Sequence, residues 1–205
     1  MVQQEPIVIR PTLDRGATDL LFRNARTHAA WQDHPVPDEL LEELYELAKW
    51  GPTAANTSPL RILFLRTPEA KERLLPALHE MNVEKVRTAP VTAVFAYDTE
   101  FPDQMPKLMP YRDTSAMFGA MPPEARERMA RDNSTLQAAY TIMAARAVGL
   151  DCGPMGGFDA EAVNAEFFPD GRWRVNLICN LGYGDHEKLW PRLPRLEFNE
   201  ACVMM

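Results

Sequence analysis

An α+β fold in one globular domain is predicted by three observations: helical and strand patterns alternate along the chain, no segment repeats another, and 46% of the 205 residues are apolar. A chain of this length buries a sizeable core.

The elements follow in order. Residues 37–50 carry Leu40, Leu41, Leu44, Tyr45, Leu47 and Ala48 at helical spacing, open on Pro37-Asp38-Glu39 and stop at Gly51-Pro52, which predicts an amphipathic helix. Ile62, Leu63, Phe64 and Leu65 make residues 61–66 a strand, and Pro68 opens a second helix that runs to about residue 79. Residues 91–97 read as a buried strand. Asp132-Asn133-Ser134 is placed to cap a helix whose apolar face is Leu136, Ala139, Tyr140, Met143, Ala144 and Ala147. Asp159 is placed to cap a shorter helix to residue 168, and residues 173–181 form a third strand rich in β-branched and apolar side chains.

Two segments do not fit this alternation. Residues 99–128 mix Pro102, Pro106, Pro110, Pro122 and Pro123 with Met105, Met109, Met117, Phe118 and Met121, which reads either as a lid over a pocket or as a packed surface excursion. Residues 191–205 form a C-terminal arm whose Leu193, Leu196, Phe198, Val203, Met204 and Met205 are expected to pack on this chain or on a partner. The whole of 1–205 is read as a single domain with these two appendages.

A net charge of −7 and a pI near 5.2, with no basic run, argue against nucleic-acid or anionic-membrane binding and for a small ligand. No apolar stretch reaches membrane-spanning length, and Met1-Val2-Gln3-Gln4-Glu5 lacks the basic opening of a secretory signal, so a cytoplasmic enzyme is expected. Cys152, Cys179 and Cys202 are odd in number and in unlike contexts, which suits reduced thiols. No metal site is expected, since His28, His34, His79 and His186 lack ligand spacing with the cysteines. Gly182-Tyr183-Gly184 follows a strand, but Glu187 occupies the third glycine position of a dinucleotide fingerprint.

The segment Gly149-Leu150-Asp151-Cys152-Gly153-Pro154-Met155-Gly156-Gly157-Phe158 carries more information than any other. Gly149 suits a helix C-cap, with Gly153 in the turn beyond it. Gly156 and Gly157, without Cβ, allow a flat ligand to approach, so that a main-chain N–H points at a ring nitrogen such as flavin N5. Arg26-Thr27-His28, Asn82 with Lys85, and Pro191-Arg192-Leu193-Pro194-Arg195 are each ordinary alone.

Jointly, in order and spacing, these groups and Gly51-Pro52-Thr53-Ala54-Ala55-Asn56-Thr57-Ser58-Pro59 resemble the nitroreductase family of FMN enzymes across nearly the whole chain. Arg26-Thr27-His28-Ala29-Ala30-Trp31, Lys49-Trp50-Gly51-Pro52-Thr53 and Arg192-Leu193-Pro194-Arg195-Leu196 most resemble the branch containing the malonic semialdehyde reductase of pyrimidine utilisation. The resemblance implies a three-layer α/β/α sandwich with a mostly antiparallel sheet and a homodimer holding two FMN molecules at its interface.

It also implies residue roles. Arg26, Thr27, His28 and Arg192 fall at the phosphate end. Asn82 and Lys85 fall at the ribityl and polar ring edge, where a fixed cation favours the reduced flavin. Thr53, Asn56 and Ser58 match the segment that reaches the other subunit's flavin, and Pro154, Met155, Gly156 and Gly157 match the backbone facing N5. Many relatives carry an acidic residue at Gly156 and a cation at Ala30, so a polar contact common in the family is absent or replaced here. Trp190-Pro191 takes the place of polar residues before Arg192, which places more of the phosphate binding on Arg26 and Arg192. The implied chemistry is ping-pong: NADH or NADPH delivers hydride to FMN, and a small aldehyde such as malonic semialdehyde then takes it to become 3-hydroxypropionate. Nitroaromatic or quinone reduction, or flavin binding without turnover, are the alternatives.

Overall fold

The structure, a computed structural model, describes residues 11–205; the reading of residues 1–5 lies outside them. In chain order the elements are α1 (Arg15–Thr18), α2 (Asp38–Ala48), β1 (Leu60–Leu65), α3 (Pro68–Leu74), α4 (Glu80–Thr88), β2 (Val91–Asp98), α5 (Met105–Leu108), α6 (Ser115–Gly119), α7 (Pro123–Ala147), β3 (Asp151–Met155), α8 (Ala160–Phe167), β4 (Trp173–Gly182) and α9 (Phe198–Ala201). The strands form an antiparallel sheet in the order β1-β2-β4-β3.

Every residue of β2 is buried, as its mainly apolar sequence requires of a strand covered on both faces. The alternation of side chains then divides the core in two. Val91, Ala93 and Phe95 pack with Leu41, Leu44 and Ala48 of α2 and with Ala138, Ala144 and Ala145 of α7. Val94 and Ala96 pack on the opposite face with Leu74, Val86 and Val163 from α3, α4 and α8. The result is the predicted three-layer α+β sandwich with an antiparallel sheet. Among the described residues no helix is long and apolar enough to cross a membrane.

Three expectations are corrected. The helix expected to be capped at 132–134 starts at Pro123, where proline's missing N–H costs nothing. Asn133 and Ser134 lie mid-helix and buried, with Asn133 Nδ2 donating to Met129 O at 2.8 Å and Ser134 Oγ donating to Ala96 O at 3.2 Å. The helix expected over 68–79 ends at Leu74, because Pro76 turns the chain into a 3-10 stretch, Leu75–Ala77, before α4. The glycine segment is not all turn: residues 151–155 are β3, paired with β4, while Gly149 takes the expected left-handed C-cap role at φ +84°.

The proline-rich segment before α7 encloses a small core of its own, with Phe101, Met105 and Phe118 buried against Tyr97 and Ala130. The arm differs: residues 191–205 are exposed throughout. Cys152 and Cys179 are buried free thiols and Cys202 an exposed one. A hydrogen bond with Cys152, then burial, pushes the Cys179 thiol well up, so it stays protonated.

Candidate functional site

The loop bearing Arg26, Thr27 and His28 is stitched to β3. Thr27 forms a parallel bridge with Cys152, and the His28 N–H donates to Cys152 O at 3.0 Å. Gly153 permits this approach, because a Cβ there would stand 2.5 Å from the His28 carbonyl oxygen. Arg26 donates to the Trp190 carbonyl and Arg192 Nη2 donates to Ala25 O at 2.8 Å, so each arginine bonds backbone next to the other and the two ends of the chain are tied together. His28 is turned elsewhere. Its ring is 2% exposed, with Nε2 3.3 Å from Asp151 Oδ1 and the ring edge-on to His186 at 4.9 Å between centroids. Burial, opposed by Asp151, lowers the His28 pKa.

Further along β3 lies a second cluster. Asn82 Nδ2 donates to Gly157 O at 3.0 Å, and Lys85 Nζ donates to Asn82 Oδ1 at 3.0 Å. One turn of α4 presents both side chains. The carbonyl of Lys85 accepts from Asn180 Nδ2 at 2.9 Å, and Asn180 Oδ1 accepts from Thr92 at 2.7 Å, which anchors the cluster in the central strands. The two glycines differ in need. A Cβ at Gly157 would stand 2.7 Å from Asn82 Nδ2, whereas one at Gly156 would meet nothing within 4 Å. Pro154 and Met155 are half-buried on β3, an edge strand where proline is tolerated.

Thr53, Asn56 and Ser58 form a third cluster. Ala55, Asn56 and Ser58 hold φ of +50°, +54° and +40°, three non-glycine residues in the left-handed region within four positions. The strain persists because the surroundings fix it. Asn133 Oδ1 accepts from Ala54 N at 2.7 Å, Gln137 Oε1 accepts from Leu60 N at 3.0 Å, Thr53 Oγ1 accepts from Ser58 N at 3.1 Å, and Asn56 Nδ2 donates to Leu108 O at 2.8 Å. The loop borders a cleft of about 280 Å³ that Trp50, Asn56, Ser58, Leu108 and Gln137 help to line. Asn133 and Gln137 were not among the predicted residues. Their signal was polar side chains at 133, 137 and 141, one helical stripe facing the core.

One chain therefore brings together Arg26 with Arg192, and Asn82 with Lys85 and Gly157, along β3. It does not bring Thr53, Asn56 and Ser58 to them. Their loop leads into β1, at the far edge of the sheet, about 14 Å away at the usual strand spacing. A cleft of about 800 Å³ between Trp31, Arg66, Lys71 and Pro90 holds none of the predicted residues.

Fold and clusters together define a three-layer α+β protein with cationic and amide groups set along one edge strand. The chain belongs to the nitroreductase family, whose model matches residues 23–183. It is 55% identical over 196 residues to a protein of Ralstonia nicotianae provisionally named an NADH dehydrogenase/NAD(P)H nitroreductase, covering 95% of this chain and 100% of that one. A crystal structure from Bacillus subtilis, described provisionally as a nitroreductase, matches with a TM-score of 0.85 at 23% identity, over 94% of this chain and 100% of that one. One from Exiguobacterium sibiricum, described as in complex with FMN, matches with a TM-score of 0.83 at 21% identity, over 97% of this chain and 100% of that one.

Proposed function

We propose that this chain is an FMN-dependent NAD(P)H oxidoreductase, a single flavin-binding domain that works as a homodimer. The observation that carries the reading is the junction of Gly157, Asn82 and Lys85, where a fixed cation and an amide are held beside backbone that a Cβ would obstruct. The residues fit the group: Arg26 and Arg192, with Thr27, would hold the phosphate, Asn82 and Lys85 the polar ring edge, and the strand end Pro154-Met155-Gly156-Gly157 would face the ring. His28 supports the phosphate loop from behind through its N–H bond to β3. The names of the Ralstonia relative and of the Exiguobacterium complex agree with this reading.

The flavin, when bound, supplies the atom that accepts and returns hydride. The protein's share is orientation and charge: Lys85 favours the electron-rich cofactor, and no side-chain nucleophile is needed. NAD(P)H and oxidant would occupy the same space in turn. A shared site is supported by the separation of the 53–58 loop from β3. It is also supported by apolar side chains that this chain leaves bare: Tyr45 51%, Leu47 46% and Trp50 78% exposed around α2, Leu136 52% exposed on α7, and Leu193 74% and Phe198 62% exposed on the arm.

The oxidant we propose is a small aldehyde, malonic semialdehyde reduced to 3-hydroxypropionate in cytoplasmic pyrimidine degradation, supported by the branch-like motifs around Arg26 and Arg192. Nitroaromatic or quinone reduction is the second reading, favoured by the relatives' names. Visible spectra of the purified protein, before and after anaerobic NADH and then NADPH, test the cofactor: flavin bands that bleach are expected, and a colourless protein that FMN cannot reconstitute would overturn the proposal. A kcat/KM for malonic semialdehyde far above those for nitrofurazone and menadione is expected; comparable or reversed values select the second reading, and bleaching without turnover of any oxidant leaves a flavin-binding module.

A further inference from the structure

Three distant segments bring titratable side chains together at one end of β3. His28 comes from the N-terminal loop, Asp151 is the first residue of β3, and His186 opens the 3-10 turn His186–Lys188 after β4. His28 Nε2 lies 3.3 Å from Asp151 Oδ1, His186 Nε2 lies 3.9 Å from Asp151 Oδ2, and one ligand atom from each residue falls within 4.8 Å of the others. We infer that His28, Asp151 and His186 form a binding site for one divalent transition-metal ion of the zinc class, with three protein ligands and a fourth position open to water.

The donor set is right for such an ion: two imidazoles and one carboxylate, the borderline ligands that Zn²⁺, Co²⁺ and Ni²⁺ share. The spacing is close to what is needed, since tetrahedral bonds of about 2.0–2.1 Å put ligand atoms about 3.3–3.4 Å apart. The pair His28–Asp151 already has that separation. His186, with its side chain 68% exposed, has room to close the remainder.

The independent observation is His28 itself. Its side chain is 1% exposed, yet neither ring nitrogen has a hydrogen-bond partner, because the approach to Asp151 lacks hydrogen-bond alignment. A buried, unpartnered imidazole is costly unless something satisfies it. The ring sits against Gly184, where a Cβ would lie 2.0 Å from its Nδ1, so only glycine leaves space for it. Asp151 is oriented as well, since its Oδ2 accepts from the Gly184 N–H at 2.9 Å, the outer contact that ligating carboxylates commonly make. An ion here would tie the N-terminal loop, β3 and the turn that leads into the arm. It would not need the flavin, so this inference stands apart from the redox reading.

The test uses the full chain as purified, treated with a chelator and then titrated with Zn²⁺ by calorimetry and with Co²⁺ by visible absorption. One ion per chain and the intense absorption of four-coordinate Co²⁺ are expected in the wild type. His186→Gln and Asp151→Asn should each weaken Zn²⁺ binding at least about tenfold, since loss of a ligand's outer partner alone costs about ten- to a hundredfold, while His34→Gln, an exposed histidine elsewhere, should leave it unchanged. His186 is exposed, so that variant should fold; if Asp151→Asn does not, His186→Gln decides alone. Substoichiometric binding to the wild type, or an affinity that His186→Gln leaves unchanged, would mean adventitious binding and overturn the site.

Discussion

The two edges of the sheet are built differently. Along β3 the polar groups satisfy one another within the chain: Arg192 on Ala25, Lys85 on Asn82, Asn82 on Gly157. At the β1 edge the 53–58 loop is also tied down, by Asn133, Gln137 and Leu108, but it holds three strained residues and opens toward bare apolar surface on α2 and α7. Strain that the surroundings hold in place marks a functional segment. The contrast teaches that one chain preorganises the β3 half of the proposed site and leaves the β1 half facing outward, the arrangement that the proposed homodimer needs.

The largest effect should come from removing the arm beyond Arg195, which keeps Arg192 and its bond to Ala25. Light scattering should then find a monomer. FMN affinity should fall about a hundredfold, close to 3 kcal/mol, because the second half of each site is lost. A truncated chain that remains dimeric and retains FMN would show that the β3 edge suffices and that the arm packs elsewhere.

Gly157→Ala attacks the β3 half alone. The added Cβ meets Asn82 Nδ2, and the amide must give up either the Gly157 carbonyl or Lys85. A displaced buried hydrogen bond costs about 1–2 kcal/mol, which predicts FMN binding weaker by about five- to thirtyfold in a fluorescence titration. Gly156→Ala is the control: its Cβ points into open space within this chain, so the fold should be unaffected. Equal effects of the two substitutions on stability would mean that the Asn82 contact is not what demands glycine.

How far these regions could be read from sequence differs for physical reasons. The central sheet was legible because β2 and β4 are rich in β-branched and apolar residues, and α2 because its stripe Leu41-Leu44-Ala48 repeats at the helical period. β3 was not, since Asp-Cys-Gly-Pro-Met has no strand propensity and its pairing with β4 is decided by tertiary contacts. The start of α7 was misread because Asn133 and Ser134 carry a cap's chemistry but use it within the interior. The candidate site was legible as a set of motifs through their resemblance to a family, which also set the 53–58 segment apart from the rest, but the convergence of His28, Asp151 and His186 was not, because it depends on where β3 ends.

Asn56→Gly sharpens the β1 side with a smaller change. Glycine accepts φ +54° without steric cost, so the backbone should hold, and what is lost is the bond from Asn56 Nδ2 to Leu108 O and the long contact of 3.5 Å that Asn56 Oδ1 accepts from Ser58 Oγ. One hydrogen bond is worth about 0.5–1.5 kcal/mol, so FMN retention should fall between about two- and tenfold while the melting temperature changes little. Retention unchanged from wild type would remove Asn56 from the shared site.

The smallest expected effect lies between the two edges, where Tyr97 of β2 donates to Glu127 of α7 at 2.8 Å. Burial, then the bond to Glu127, pushes the Tyr97 hydroxyl up to about 12. A group whose folded pKa exceeds its unfolded value near 10 adds stability that is complete below pH 10 and is lost as pH rises toward 12. Tyr97→Phe should cost about 0.5–1 kcal/mol at pH 7, at the low end because Glu127 keeps Arg174 at 2.9 Å. Denaturant unfolding at pH 7 and pH 11 checks the sign: the wild type should lose its advantage over Tyr97→Phe at the higher pH. An advantage that instead grows at pH 11 would mean that the folded protein stabilises the phenolate, and the charge environment of this strand would have to be read the other way round.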